Sequence, residues 1–162
     1  MKKFEFTGET KTTVNGIVLH RIKALVRIDL GYSTIIEVGD LGGWLEKEDN
    51  LSYLGNAWVS GDAEVLGDAK IYGDSKVYDD ACIKKCSHIL NVGPIGSRNE
   101  FTTFFRTKDR KVKVSCGCFL GTIDEFLEKV EQTHGDSKHA IVYRAAADIA
   151  LAQIDTSDED DA

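Results

Sequence analysis

Between Gly55 and Leu90 the apolar positions recur every sixth residue. Val59, Val65, Ile71, Val77, Ile83 and Ile89 stand at this interval without a break. Small residues, Ala57, Ala63, Ala69, Ser75, Ala81 and Ser87, stand two places before them, and Gly-Asn or Gly-Asp pairs begin at 55, 61, 67 and 73. A period of six matches neither the 3.6 of a helix nor the 2 of a strand, so repeat architecture is considered first. The physics fits a three-sided coil. One aliphatic side chain per hexad points to the axis, the small residue sits near a corner, and the Gly-Asp pair takes the turn, where positive φ is tolerated. Each winding then buries its inner face only against its neighbours. The predicted coil runs from Asn56 to Leu90.

On either side the pattern changes. Residues 3–28 read as a β-hairpin turning at Asn15-Gly16, with Val18, His20, Ile22, Ala24, Val26 and Ile28 alternating on the return strand. In Val38-Gly39-Asp40-Leu41-Gly42-Gly43-Trp44-Leu45 the paired glycines force a tight path, and Trp44 is expected as an apolar plug over the first open winding rather than a stacking platform. After Leu90 the rhythm stops. Residues 91–99 form a glycine-rich loop, and Phe101–Thr107 with Lys111–Phe119 form a hairpin turning at Lys108-Asp109-Arg110. Thr122-Ile123-Asp124-Glu125 is a capping box opening a helix from Ile123 to about His134, which Gly135 ends. A second helix runs from Ser137 or Lys138 to about Ile154, with Ile141, Ala145, Ile149 and Ala152 spaced to face inward. Residues 155–162 read as a disordered acidic tail.

The hexads resemble the hexapeptide-repeat family of left-handed β-helices. The lead-in Gly39-Asp40-Leu41-Gly42-Gly43-Trp44-Leu45-Glu46-Lys47-Glu48 is similar to that of bacterial and prophage hexapeptide-repeat proteins of unassigned function. The likeness covers roughly residues 3–90. It implies a short left-handed parallel β-helix there. With the elements read from the pattern on either side, the fold expected is mainly β with α, the β-helix being flanked by an N-terminal β-hairpin and by a C-terminal β-hairpin plus two helices. The organisation expected is 1–90 for hairpin and coil, 91–154 for a C-terminal α+β module, and 155–162 for the tail. Relatives of this kind are commonly homotrimers, so the resemblance also implies a homo-oligomer, trimeric or higher. Trp58, Tyr72 and Tyr78, read as outward rings, are its candidate interface anchors.

Composition narrows the function classes. The net charge of −7 works against generic nucleic-acid binding, which rests on phosphate neutralisation. The amino terminus has no apolar run behind Lys2 and Lys3, and no stretch approaches the ~20 apolar residues of a membrane span. A cytoplasmic location follows as an expectation, the host cytosol if the chain is phage-encoded. There Cys82, Cys86, Cys116 and Cys118 are reduced thiols. Their spacings, Cys-x3-Cys and Cys-x-Cys, differ from the Cys-x2-Cys of zinc knuckles, so buried free thiols are expected and no metal.

Three kinds of chemistry remain. Hexapeptide-repeat enzymes transfer acyl groups from coenzyme A with a histidine base. About two windings offer little groove for that cofactor, and no orienting carboxylate stands at a diagnostic spacing from His20, His88, His134 or His139. No catalytic residue and no cofactor are therefore assigned, and an acyltransferase stands as the enzyme alternative. The second kind is anion capture. Gly96, Ser97, Arg98 and Asn99 offer backbone N–H groups, a hydroxyl, a guanidinium and an amide, and Thr103 and Arg106 follow on the next strand. Lys108, Arg110, Lys111 and Lys113 make this hairpin locally basic. Because the lead-in resembles that of prophage proteins, the resemblance implies a phage-type protein, and the function expected of it is non-catalytic binding in counter-defence, sequestering an anionic nucleotide-like immune signal. The third is protein-directed inhibition of a host defence effector, such as a CRISPR nuclease, with the acidic surface meeting a basic cleft.

Overall fold

The computed structural model describes residues 1–157; the tail predicted to be disordered lies outside the described residues from 158 onward. The chain divides into two compact units, Met1–Cys86 and Ser87–Ala162, so the break falls before the predicted boundary at Leu90. The fold is mainly β with two helices.

The first unit opens with strands β1 (Phe4–Thr12) and β2 (Val18–Ala24), paired antiparallel. Their turn is not the two-residue Asn15-Gly16 type. The Thr13 carbonyl accepts from Gly16 N–H, Thr13 N–H donates to the Ile17 carbonyl, and Gly16 alone takes φ +83°. That is a three-residue loop, a type I turn closed by a glycine. Strand β2 ends at Ala24, and register shifts around Thr10 and Lys23 break the predicted alternation: Leu19 and Ile22 are both buried. A short pair follows, β3 (Ile28–Asp29) with β4 (Ile35–Ile36), and then β5 (Leu41–Leu45), antiparallel to β2.

From β5 onward the pairing is parallel. Strands β6 (Trp58–Val59), β7 (Glu64–Val65), β8 (Lys76–Val77) and β9 (Cys82–Ile83) contribute two residues each. Val59 lies opposite Val77 and Val65 opposite Ile83, an interval of 18 residues, or three hexads per winding. Leu45 lies opposite Val65, and Leu51 bridges Ile71. These intervals are 20, because the 52–58 stretch carries two extra residues. The coil therefore starts at Leu45, not at Asn56, and its axis holds Leu45, Leu51, Val59, Val65, Ile71, Val77 and Ile83, none more than 1% exposed. The small residues Ala57, Ala63, Ala69, Ser75 and Ala81 are buried as well. Removing each aliphatic from water contributes about 1.5–3 kcal/mol, and this inner column is the main apolar core of the coil. Ile89 does not belong to it. It is half-buried and opens an antiparallel strand of the second unit.

Two buried polar side chains close the winding ends. Asn50 Nδ2 donates to the carbonyls of Ala69 (2.8 Å) and Gly67 (3.2 Å), while its Oδ1 accepts from Lys47 N–H. Lys3 Nζ donates to the Ala57 carbonyl at 2.7 Å and the Gly55 carbonyl at 3.3 Å. Burial pushes the Lys3 amine down to about 8, with Asp74 opposing the shift.

The second unit is an antiparallel meander, β10 (Ile89–Ile95), β11 (Glu100–Arg106), β12 (Val112–Cys116) and β13 (Phe119–Thr122), followed by α1 (Ile123–His134) and α2 (Lys138–Gln153). The capping box is present: Thr122 Oγ1 accepts from Glu125 N–H, and Glu125 Oε1 accepts from Thr122 N–H. The predicted loop 91–99 is instead mostly strand, and Lys111–Phe119 is broken by a two-residue turn at Gly117-Cys118. Helix α2 packs the opposite side from the one predicted. Ala140, Ala146, Ala147, Ala150 and Ile154 are buried with Phe104, Val114, Phe126 and Val130, whereas Ile141, Ala145, Ile149 and Ala152 are exposed. Both stripes fit a 3.6 period, and the alanine stripe lets the helix approach the core closely.

Candidate functional site

The six residues proposed to hold an anion separate into two groups. Ile95 pairs with Glu100, so Gly96, Ser97, Arg98 and Asn99 form the four-residue tip between β10 and β11. Gly96 takes φ +78° and Asn99 φ +51°, and Asn99 N–H donates to the Gly96 carbonyl at 3.3 Å. Ser97, Arg98 and Asn99 are exposed. A Cβ on Gly96 would collide with the Tyr143 hydroxyl, so the tip rests on α2 at a place only glycine can occupy. The preceding Gly93-Pro94 bond is cis.

Thr103 and Arg106 lie elsewhere. At about 3.3 Å per residue, Arg106 stands roughly 20 Å along β11 from the tip. Thr103 is buried and donates from Oγ1 to Asn91 Oδ1 at 2.9 Å. Arg106 is 4% exposed; its Nη1 donates to His88 Nε2 at 2.9 Å, and its Nη2 donates to the Ser157 carbonyl at 3.3 Å. It is a structural clamp on the segment after α2. The basic turn, Lys108, Asp109 and Arg110, sits at that same far end of β11. The extended strand thus separates the two cationic clusters that sequence proximity had joined.

The histidines are engaged in packing. His88 is fully buried and accepts from Arg106, which has no acceptor of its own, so its Nε2 lone pair is occupied. His20 stacks on Phe6 with centroids 4.6 Å apart. His134 lies 5.6 Å from both His139 and Tyr143. Tyr143 also meets Phe126 edge-on and approaches Cys116 Sγ at 4.0 Å. This cluster was missed in the sequence, where His134 and His139 were read only as flanking a helix boundary and Tyr143, the ring against Gly96, was not singled out.

Of the three candidate interface rings, Tyr72 is 67% exposed and Tyr78 is half-buried, its phenol pushed up by burial. Trp58 is 1% exposed and is not a surface ring. The absence of a side chain at Gly42 opens its slot, since a Cβ there would lie 2.8 Å from Trp58 Cζ2 and 2.6 Å from Ile22 Cγ1. Trp44 is no axial plug. Its neighbour Leu45 points to the axis, so Trp44 points outward, onto Leu19 and Leu66. Lys11 Nζ lies 4.5 Å from its ring centre and pairs with Glu64 at 2.7 Å.

Cys82 and Cys116 are half-buried, whereas Cys86 and Cys118 are exposed, contrary to four buried thiols; among the described residues none of the four is in a disulfide. Among the described residues no group of three or more His, Cys, Asp or Glu side chains is placed to hold a metal ion. Nor is any described helix long and apolar enough to cross a membrane. No family model, curated protein or solved structure matches the chain.

Proposed function

We propose that this chain is a non-catalytic binding protein of phage type that acts in counter-defence by sequestering an anionic, nucleotide-like ligand, with the Gly96–Asn99 tip as its phosphate contact. The observation that carries this is the exposed tip itself. It gathers Ser97, the Arg98 guanidinium and the Asn99 amide on a turn whose glycine is seated against Tyr143. Preorganised N–H groups and a guanidinium suit a phosphate oxygen. Thr103 and Arg106 drop out of the ligand set because their side chains hold the sheet and the segment after α2. In this proposal the coil is left-handed, as the hexad rhythm implies, and serves as a rigid scaffold.

The test is calorimetry of inorganic phosphate and a panel of nucleotides on the wild-type chain and on Arg98→Ala. Binding that falls at least tenfold in the variant, with the nucleotide recovered intact, supports sequestration. Absence of heat with every ligand in the wild type removes it, and a chemically altered nucleotide replaces it with an enzyme.

A second reading rests on the corners of the coil, where Asp62 and Asp68 are exposed at hexad spacing. Such carboxylates fit the basic cleft of a nucleic-acid-directed effector, and this reading predicts salt-sensitive co-purification with that protein. Acyl transfer stands third, since His20 and His88 are committed to packing contacts.

A further inference from the structure

Helix α2 is apolar on two sides. Its inner stripe is almost all alanine, while its larger aliphatics face out: Ile141 is 61% exposed, Ile149 52% and Leu151 54%. Ala145 and Ala152 are exposed between them. At 100° per residue, 138, 141, 145, 148, 149 and 152 fall on one face, and its only charges are Lys138 near the start and Asp148 towards the end. A helix without a polar outer face is normally covered.

The geometry points to a second copy of this chain as the cover, packed antiparallel through α2 about a two-fold axis at Ala145. The stripe is self-complementary in that arrangement and in no parallel one. With Ala145 opposite Ala145, Ile141 meets Ile149 of the other copy on both sides of the axis, and the small residue at the centre permits close approach. Lys138 then falls opposite position 152, within about one turn, roughly 6 Å, of Asp148 on the other copy. Parallel packing would instead set lysine beside lysine and aspartate beside aspartate. A 16-residue helix is about 24 Å long, so such a contact covers on the order of 500 Å² per copy, at the lower edge of specific interfaces. An area this small is expected to give a weak dimer, one that dissociates on dilution rather than a permanent assembly. This surface is distinct from the Tyr72 and Tyr78 rings of the coil, and it does not depend on what the Gly96–Asn99 tip binds.

The experiment is sedimentation velocity of the full chain across the micromolar range, with cross-linking in a background where exposed Cys86 and Cys118 are changed to Ser. A concentration-dependent monomer–dimer equilibrium is expected. Ala145→Cys should give a disulfide-linked dimer under mild oxidation, because a residue on a two-fold axis meets itself. Ile141→Cys should cross-link to Ile149→Cys in a mixture more readily than either does alone. Lys138→Glu and Asp148→Lys should each weaken the dimer several-fold, and the double variant should restore it. All these positions are on the helix exterior, and far-UV circular dichroism verifies that each variant is folded. A monomer at every concentration overturns the proposal, as does a dimer indifferent to Ala145→Glu or a charge swap that fails to rescue.

Discussion

The stacking of windings makes a graded prediction at two glycines of the same repeat. Gly55 has φ +72° and Gly73 has φ +68°, so an alanine at either meets the same backbone strain, about 1–2 kcal/mol. Their surroundings differ. A Cβ on Gly55 would lie 2.5 Å from the Gly73 carbonyl oxygen of the next winding, whereas a Cβ on Gly73 meets nothing within 4 Å. That carbonyl also accepts from Ala57 N–H at 2.9 Å, so it cannot retreat without loosening the ladder. Overpacking against backbone adds about 1–3 kcal/mol. Gly55→Ala should therefore cost about 2–5 kcal/mol and Gly73→Ala only about 1–2. Both tryptophans, Trp44 and Trp58, belong to the first unit and are buried, so their fluorescence during urea unfolding reports that unit alone. With m near about 1–2 kcal/mol/M, the two midpoints should differ by roughly 1 M urea. Equal midpoints would refute the stacking of Gly55 on Gly73, and with it the three-hexad winding.

Lys3 gives a pH signature. Its amine is held near 8 when folded against an ordinary 10.5, so between those values the unfolded chain binds more protons and stability rises with pH; the gain, up to about 3 kcal/mol, is lost as pH falls through 8. Urea midpoints from pH 7.5 to 10 should climb more steeply in the wild type than in Lys3→Met, and parallel slopes would sink the assignment. Ile71→Ala should cost about 2–5 kcal/mol and Ile89→Ala distinctly less, because the first is on the coil axis and the second is half-buried at a sheet; the reverse order would return Ile89 to the coil. Thr122→Ala should destabilise the second unit by about 1 kcal/mol through loss of the N-cap, monitored by helical circular dichroism, and a change near zero would show that the cap is dispensable.

The residues by themselves determined whatever depends on local chemistry. The hexad from Val59 to Ile83, its small partners, the Thr122 capping box and both helices were legible, because each writes a fixed spacing or a specific hydrogen bond into a few neighbouring positions. Tertiary structure decided what depends on pieces far apart in sequence. Two extra residues after Leu51 hid the coil's true start at Leu45. Helix periodicity allowed either face of α2, and the need to pack closely on the core chose the alanines over the isoleucines. Arg98 and Arg106 are close in sequence, yet a strand rises about 3.3 Å per residue and carries them to opposite ends, where Arg98 is exposed and Arg106 is buried against His88. Trp58 looked like a surface ring until the missing side chain of Gly42 made room for it inside.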